Sequence, residues 1–208
     1  MGAYTPLPWL PENFTDEVVR RVAQPTIDVM ADRGTPFVGV LYCGLALTSR
    51  GIRVIEFNAR FGDPETQAVL ARLKTPLGQL LLGAAQGGLD GRESLRWDLR
   101  TAVGVVMAAE NYPEAPRKGD VITGIADAEA LEDVSVLHAG TSNKRTLSGT
   151  DSVVTSGGRV LAVVALGEDL DDARTKVYRG VDKISWDGAQ YRRCLLYTSD
   201  AADDSLRV

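Results

Sequence analysis

One continuous stretch does most to limit what this chain can fold into: Val54-Ile55-Glu56-Phe57-Asn58-Ala59-Arg60-Phe61-Gly62-Asp63-Pro64-Glu65-Thr66-Gln67. Its first half alternates apolar and polar side chains, the period of a strand with two unlike faces. Its second half, Asp63-Pro64-Glu65, reads as a helix start, with Asp63 as the cap and proline at the first helical position, where its missing N–H is no loss. A strand handed to a helix through a charged turn requires a chain that mixes the two element types.

The flanking sequence extends that reading. The opening, residues 1–11, holds three prolines and reads as ordered loop. From Thr15, as cap, a helical period runs through Val18, Val22, Ile27 and Met30 until Gly34 stops it, with Pro25 inside the pattern predicting a kink or two abutting helices. Residues 37–48 and 52–58, separated by Ser49-Arg50-Gly51, form an expected β-hairpin. Helices are expected toward Arg72 and over 76–86, the latter stopped by Gly87-Gly88.

Residues 89–100 are polar and form the expected linker between a first domain, 1–88, and a second, 101–193. In the second, β-type runs at 102–108, 120–125, 134–139, 152–155 and 159–166 predict a small antiparallel sheet or barrel. A helix over 169–184, with Leu170, Ala173, Val177 and Val181 on one face, closes it. The fold class expected is α+β.

Composition removes several functions. The 208 residues carry 23 basic and 28 acidic side chains, a net charge of −5, with no cluster of Lys and Arg, so neither nucleic acid nor an anionic membrane is the expected partner. Two separated cysteines, Cys43 and Cys194, give no disulfide framework and no CxxC zinc pattern. No basic n-region followed by an apolar stretch is visible at the start, and the most apolar run, 37–47, is far short of the ~20 residues of a membrane span. A cytoplasmic protein is the expectation. His138, alone of its kind, reads as a structural histidine, and Cys43 as packing. Thr155-Ser156-Gly157-Gly158-Arg159 lacks the spacing of a phosphate-binding loop and reads as a hairpin turn.

The strand alternation puts Glu56, Asn58 and Arg60 on one face and Ile55, Phe57 and Ala59 on the other. Carboxylate and carboxamide oxygens are the hard donors that Mg²⁺ prefers, and a neighbouring guanidinium suits phosphate or an acyl phosphate. The same residues also suit a solvent-exposed strand face with an incidental ion pair. Asp63 needs no substrate either, since capping a helix is worth ~1 kcal/mol by itself.

Residues 54–67 resemble the signature of the phosphoribosylamine–glycine ligase family, also called glycinamide ribonucleotide synthetases, ATP-grasp enzymes of purine biosynthesis. Met1-Gly2-Ala3-Tyr4 resembles the end of an internal loop of that family. Gly39-Val40-Leu41-Tyr42-Cys43-Gly44-Leu45 resembles the strand before the signature. Gly104-Val105-Val106-Met107-Ala108-Ala109, His138-Ala139-Gly140-Thr141 and Thr155-Ser156-Gly157-Gly158-Arg159-Val160-Leu161 resemble blocks of its C-terminal domain. The resemblance runs in order from Met1 to about Arg193.

The resemblance implies the C-terminal portion of an ATP-grasp domain followed by a small β-rich domain, and an enzyme that joins glycine to 5-phosphoribosylamine through a glycyl phosphate, with ATP as co-substrate. It implies Glu56 and Asn58 as ligands of Mg²⁺ or Mn²⁺, Arg60 as the catalytic contact to phosphate or acyl phosphate, and Asp63 as a contact to the glycine ammonium or a supporting bond. It further implies that the chain lacks the N-terminal half of the enzyme, with the nucleotide-binding lysines and most of the ATP pocket, and that the chain alone is inactive. Another ATP-grasp enzyme of the biotin-carboxylase type and a non-catalytic interaction module are the alternatives. Residues 194–208 depart from the family pattern and are expected to be a non-native, disordered tail.

Overall fold

The computed structural model describes residues 1–89, 94–145 and 151–193. The expected tail, 194–208, and Cys194 lie outside the described residues. The chain divides into two compact units that interleave along the sequence: one takes Met1–Pro6, Pro64–Arg72 and the chain from Asp98 onward, the other Leu7–Asp63 and Leu73–Trp97.

The first unit is built on a four-stranded antiparallel sheet in the order β1 (Gly2–Thr5), β4 (Thr101–Ala108), β8 (Arg159–Gly167), β5 (Val134–His138). The expected loop at the start of the chain is therefore a strand from Gly2 to Thr5, its backbone paired with Ala102 to Val105. Proline punctuation led to the loop reading, yet the prolines begin only at Pro6, where the strand ends. β4 and β8 read as nearly unbroken apolar runs because they are central and buried on both faces. Val103, Val105, Met107, Leu161, Val163 and Ala165 share one face, where they form a single core with Ala173, Val177 and Val181 of helix α6 (Leu170–Val181). On the other face Ala102, Val106, Ala162 and Val164 are also buried, and α3 (Glu65–Arg72) packs along β1, β4 and β8 with Ala68 only 1% exposed.

Helix α6 starts where its sequence dictates: the Asp169 side chain accepts from the Asp172 N–H at 2.8 Å, and Asp171 and Asp172 occupy the positive end of the dipole. Two expectations for this unit change. Residues 120–125 make only single bridges, Val121 to Val154 and Thr123 to Ser185, before the short helix α5 (Ile125–Glu129). The turn at 156–158 does not join paired strands. It links β7 (Asp151–Thr155), whose ladder partner is the unanticipated β6 (Thr141–Arg145), to β8 of the main sheet. β6 is Thr-Ser-Asn-Lys-Arg, mostly exposed and without apolar alternation, so pairing with β7 rather than its own pattern defines it.

The second unit carries α1 (Phe14–Val18), a π-helical turn (Val19–Ala23) and α2 (Gln24–Asp32) in direct succession. The interruption expected at Pro25 takes this form: the wider turn lies immediately ahead of the proline, which occupies the first turn of α2. Asn13, not Thr15, precedes α1, and it makes no side-chain cap bond. The expected hairpin is β2 (Tyr42–Thr48) with β3 (Gly51–Asn58), closed at Gly51, whose φ of +88° only glycine adopts at ease. Among the described residues, α4 (Leu77–Ala85) is the unit's remaining helix.

Candidate functional site

The hairpin does not follow a regular ladder. Tyr42, Cys43 and Gly44 stand opposite Asn58, Phe57 and Glu56, but the next residue, Leu45, stands opposite Val54. Ile55 is thus an extra residue on β3, a β-bulge, and it reverses the phase of the strand. Paired residues share a face, so Ile52 and Val54 join Leu47, Leu45, Cys43 and Phe57 on one side. Glu56 and Asn58 lie on the other side with Tyr42, Gly44 and Ala46. Without the bulge, Ile52 and Val54 would project beside Glu56, and the polar face would be lost.

On that polar face the Asn58 side-chain N–H donates to the Glu56 carboxylate at 3.0 Å. Glu56 is exposed and Asn58 half-buried. The two residues expected to act together are therefore brought together by the strand. Arg60 is not on the strand face where the alternation would have put it. β3 ends at Asn58, and Arg60 sits in the following bend, where its guanidinium donates to the Phe61 carbonyl at 2.8 Å. Gly62 is buried, and the exposed Asp63 forms, with Pro64, the turn immediately before α3.

The donor chemistry of the pair suits a hard divalent cation. Among the described residues no group of three or more His, Cys, Asp and Glu side chains could hold a metal ion by itself. Mg²⁺ ordinarily takes one or two carboxylates and completes its shell with water and phosphate oxygens. One carboxylate and one carboxamide oxygen therefore fit as part of such a set, with a phosphate-bearing ligand supplying further oxygens.

The His138 ring nitrogen Nδ1 lies 2.9 Å from the Thr141 hydroxyl, exposed at the end of β5. Cys43 is partly buried in β2, and that burial pushes its thiol above the ordinary range, away from reactivity. Among the described residues no helix is long and apolar enough to cross a membrane. The residue that sequence reasoning passed over is Gly44. A glycine in the middle of an apolar strand signals a close approach, and here the neighbour is Glu56.

Comparison with known proteins places these elements in context. Residues 1–66 match the family model described as phosphoribosylglycinamide synthetase, ATP-grasp (A) domain, and residues 102–194 match the C domain of the same synthetase. A phosphoribosylamine–glycine ligase of Streptomyces coelicolor is 58% identical over 195 residues, which is 92% of this chain and 45% of that protein. The crystal structure of a phosphoribosylamine–glycine ligase from Thermotoga maritima superposes with a TM-score of 0.76 at 32% identity, over 93% of this chain and 45% of that one. The biotin carboxylase subunit of pyruvate carboxylase, with a TM-score of 0.62 at 12% identity over 91% of this chain and 40% of its own, shares the fold alone. The chain spans about half the length of the curated relatives it matches.

Proposed function

Since the chain belongs to the phosphoribosylglycinamide synthetase family, matched over residues 1–66 and 102–194, we propose that it is part of an ATP-dependent carbon–nitrogen ligase acting in cytoplasmic purine synthesis. The reaction is the joining of glycine to 5-phosphoribosylamine. ATP phosphorylates the glycine carboxylate, and the amine of phosphoribosylamine then attacks the glycyl phosphate to give glycinamide ribonucleotide, ADP and phosphate. The order of the two family matches, over 1–66 and 102–194, supports an ATP-grasp portion, 1–88, ahead of a C-terminal domain, 101–193, although Met1–Pro6 and Pro64–Arg72 group in the structure with the chain from Asp98 onward.

The observation that carries the reading is the convergence of Glu56 and Asn58 at 3.0 Å on a single strand face, inside the segment that matches the ATP-grasp domain. Phosphoryl transfer to a carboxylate brings anions together, so most of the catalysis is positioning and neutralisation of charge. Glu56 and Asn58 would hold Mg²⁺ or Mn²⁺, which supplies that neutralisation when bound. Arg60 contacts the phosphate or acyl phosphate; its bond to a neighbouring carbonyl engages one of five guanidinium N–H groups and leaves capacity for that purpose. Asp63 meets the glycine ammonium or supports the residues that do.

The remaining partner is the upstream part of the same enzyme, which would bring most of the ATP pocket. Joined to the upstream part of the Streptomyces coelicolor relative, the chain is expected to release ADP only when glycine and phosphoribosylamine are both present. The 208-residue chain alone is expected to give background release. ADP release from the joined protein that ignores glycine would overturn the proposal.

A further inference from the structure

We propose that Gly44 is a positioning residue for the Glu56–Asn58 pair: the absence of a side chain at 44 is the slot in which the stem of Glu56 lies. The inference rests on the reading of that pair as a cation-binding face.

Gly44 stands directly opposite Glu56 in the ladder, on the last pair before the bulge. A Cβ built on Gly44 would lie 2.9 Å from Cγ of Glu56, closer than a real Cβ contact, and 3.4 Å from both the Glu56 carbonyl oxygen and Cε1 of Tyr42. The carbonyl is fixed by the strand, and the tyrosine ring flanks the other side. The Glu56 side chain is what must move, and Cγ moves only by changing the first side-chain torsion, which swings the carboxylate away from Asn58. Gly44 does not owe its identity to backbone conformation, since its φ is outside the left-handed region that favours glycine. Nor is it required by the turn, which closes at Gly51. Close approach is the remaining physical reason for glycine in the interior of a strand, where it otherwise weakens pairing. The bulge and the glycine act together: the extra Ile55 turns Glu56 onto the polar face, and Gly44 lets its stem lie flat there.

The test uses the 208-residue chain, isotope-labelled for NMR, with Mn²⁺ alone as the probe. In the unsubstituted protein, low Mn²⁺ is expected to broaden the Asn58 side-chain amide signals and the Glu56 backbone amide selectively. In Gly44→Ala the Asn58 side-chain signals should move to the position of a free carboxamide and the selective broadening should be lost. Gly78→Ala, at an α4 position where an added methyl meets nothing within 4 Å, should change neither.

A second comparison separates positioning from general damage to the hairpin. Glu56→Ala removes the Cγ that the methyl added by Gly44→Ala would strike. If Gly44→Ala disturbs the β2–β3 backbone signals, combining it with Glu56→Ala is expected to restore them, a non-additivity that a merely structural glycine would not show. Unchanged Asn58 side-chain signals in Gly44→Ala, or equal disturbance of the hairpin in both backgrounds, would overturn the proposal. If Mn²⁺ fails to broaden the pair in the unsubstituted protein while Gly44→Ala still releases Asn58, the cation reading falls and the positioning of Glu56 by Gly44 stands.

Discussion

The Arg100 guanidinium spans from the residue before β4 to Asp133, the residue before β5, with Nη1 2.7 Å from the carboxylate. The same guanidinium is held from the other side by Asp98, which is 8% exposed and accepts from both Nε and Nη2. Asp133 in turn accepts from Lys176 of α6 at 3.2 Å. One chain of charges thus ties two strands of the main sheet to the helix that covers it. Its first consequence is a pH dependence. The bonds from Arg100, and then from Lys176, hold the Asp133 carboxyl below its ordinary value of 3.8. A carboxyl with a lowered folded-state value contributes its full stabilisation above the unfolded value and loses it as pH falls through the folded one. Asp133→Asn is therefore expected to lower the melting temperature by a few degrees at neutral pH. The gap from the unsubstituted protein should shrink steadily below about pH 4, as followed by circular dichroism; a gap that widens in acid would contradict the assignment.

Leu161 is fully buried near the start of β8, within the core beneath α6. Leu161→Ala removes apolar contact and leaves a void that close-packed neighbours fill only in part. A loss of about 2–5 kcal/mol in unfolding free energy is expected from urea titration. Leu99→Ala, at a position 93% exposed, should lie within about 0.5 kcal/mol of the unsubstituted protein.

Gly124 precedes α5 with φ +80°, and a Cβ there would lie 1.8 Å from the Lys183 carbonyl oxygen. Strain and collision act in the same direction. Gly124→Ala is expected to destabilise by well over about 1 kcal/mol and to break the Thr123–Ser185 bridge next to it. Hydrogen exchange at the Thr123 and Ser185 amides reads the loss directly.

In the enzyme restored by joining the upstream part, Glu56→Gln keeps the shape of the side chain and removes its charge. Turnover is expected to fall about a hundredfold, the scale of losing one electrostatic contact at a reacting centre. The Mg²⁺ concentration for half-maximal rate should rise. Arg60→Ala should raise the KM for a phosphate-bearing substrate without moving the melting temperature, because the bond Arg60 makes in the fold is to the carbonyl of the very next residue. Steady-state kinetics across a Mg²⁺ series distinguishes the two.

Much of this was legible from the residues. Period-two alternation placed Glu56 and Asn58 on one face, and Gly51 placed the turn. The bulge went unread: strict alternation put Ile55 with Phe57 on one regular face, whereas Ile55 is the extra residue that carries the strand from the even positions Ile52 and Val54 to the odd position Phe57. Alternation extended past the strand end misplaced Arg60, because periodicity carries no signal for where pairing stops. The pairing of β1 was hidden for a related reason. A four-residue strand has little pattern of its own, and its partner lies about a hundred residues away. β6 acquires its conformation from β7 alone.

That distant pairing bears on how the chain can be made or cut. The strand Gly2–Thr5 must wait for β4, about a hundred residues further along the chain, before it has its partner in the main sheet. Closing so long a loop slows folding more than it lowers stability. A fragment begun at Asp98 would carry the later strands but neither β1 nor α3. It would expose the edge of β4 and the apolar face of Ala102, Val106, Ala162 and Val164 together. An unpaired edge beside an uncovered face is the template on which sheets associate with one another. Such a fragment is expected to aggregate, whereas one that keeps the first six residues and α3 retains the cover its sheet was built beneath.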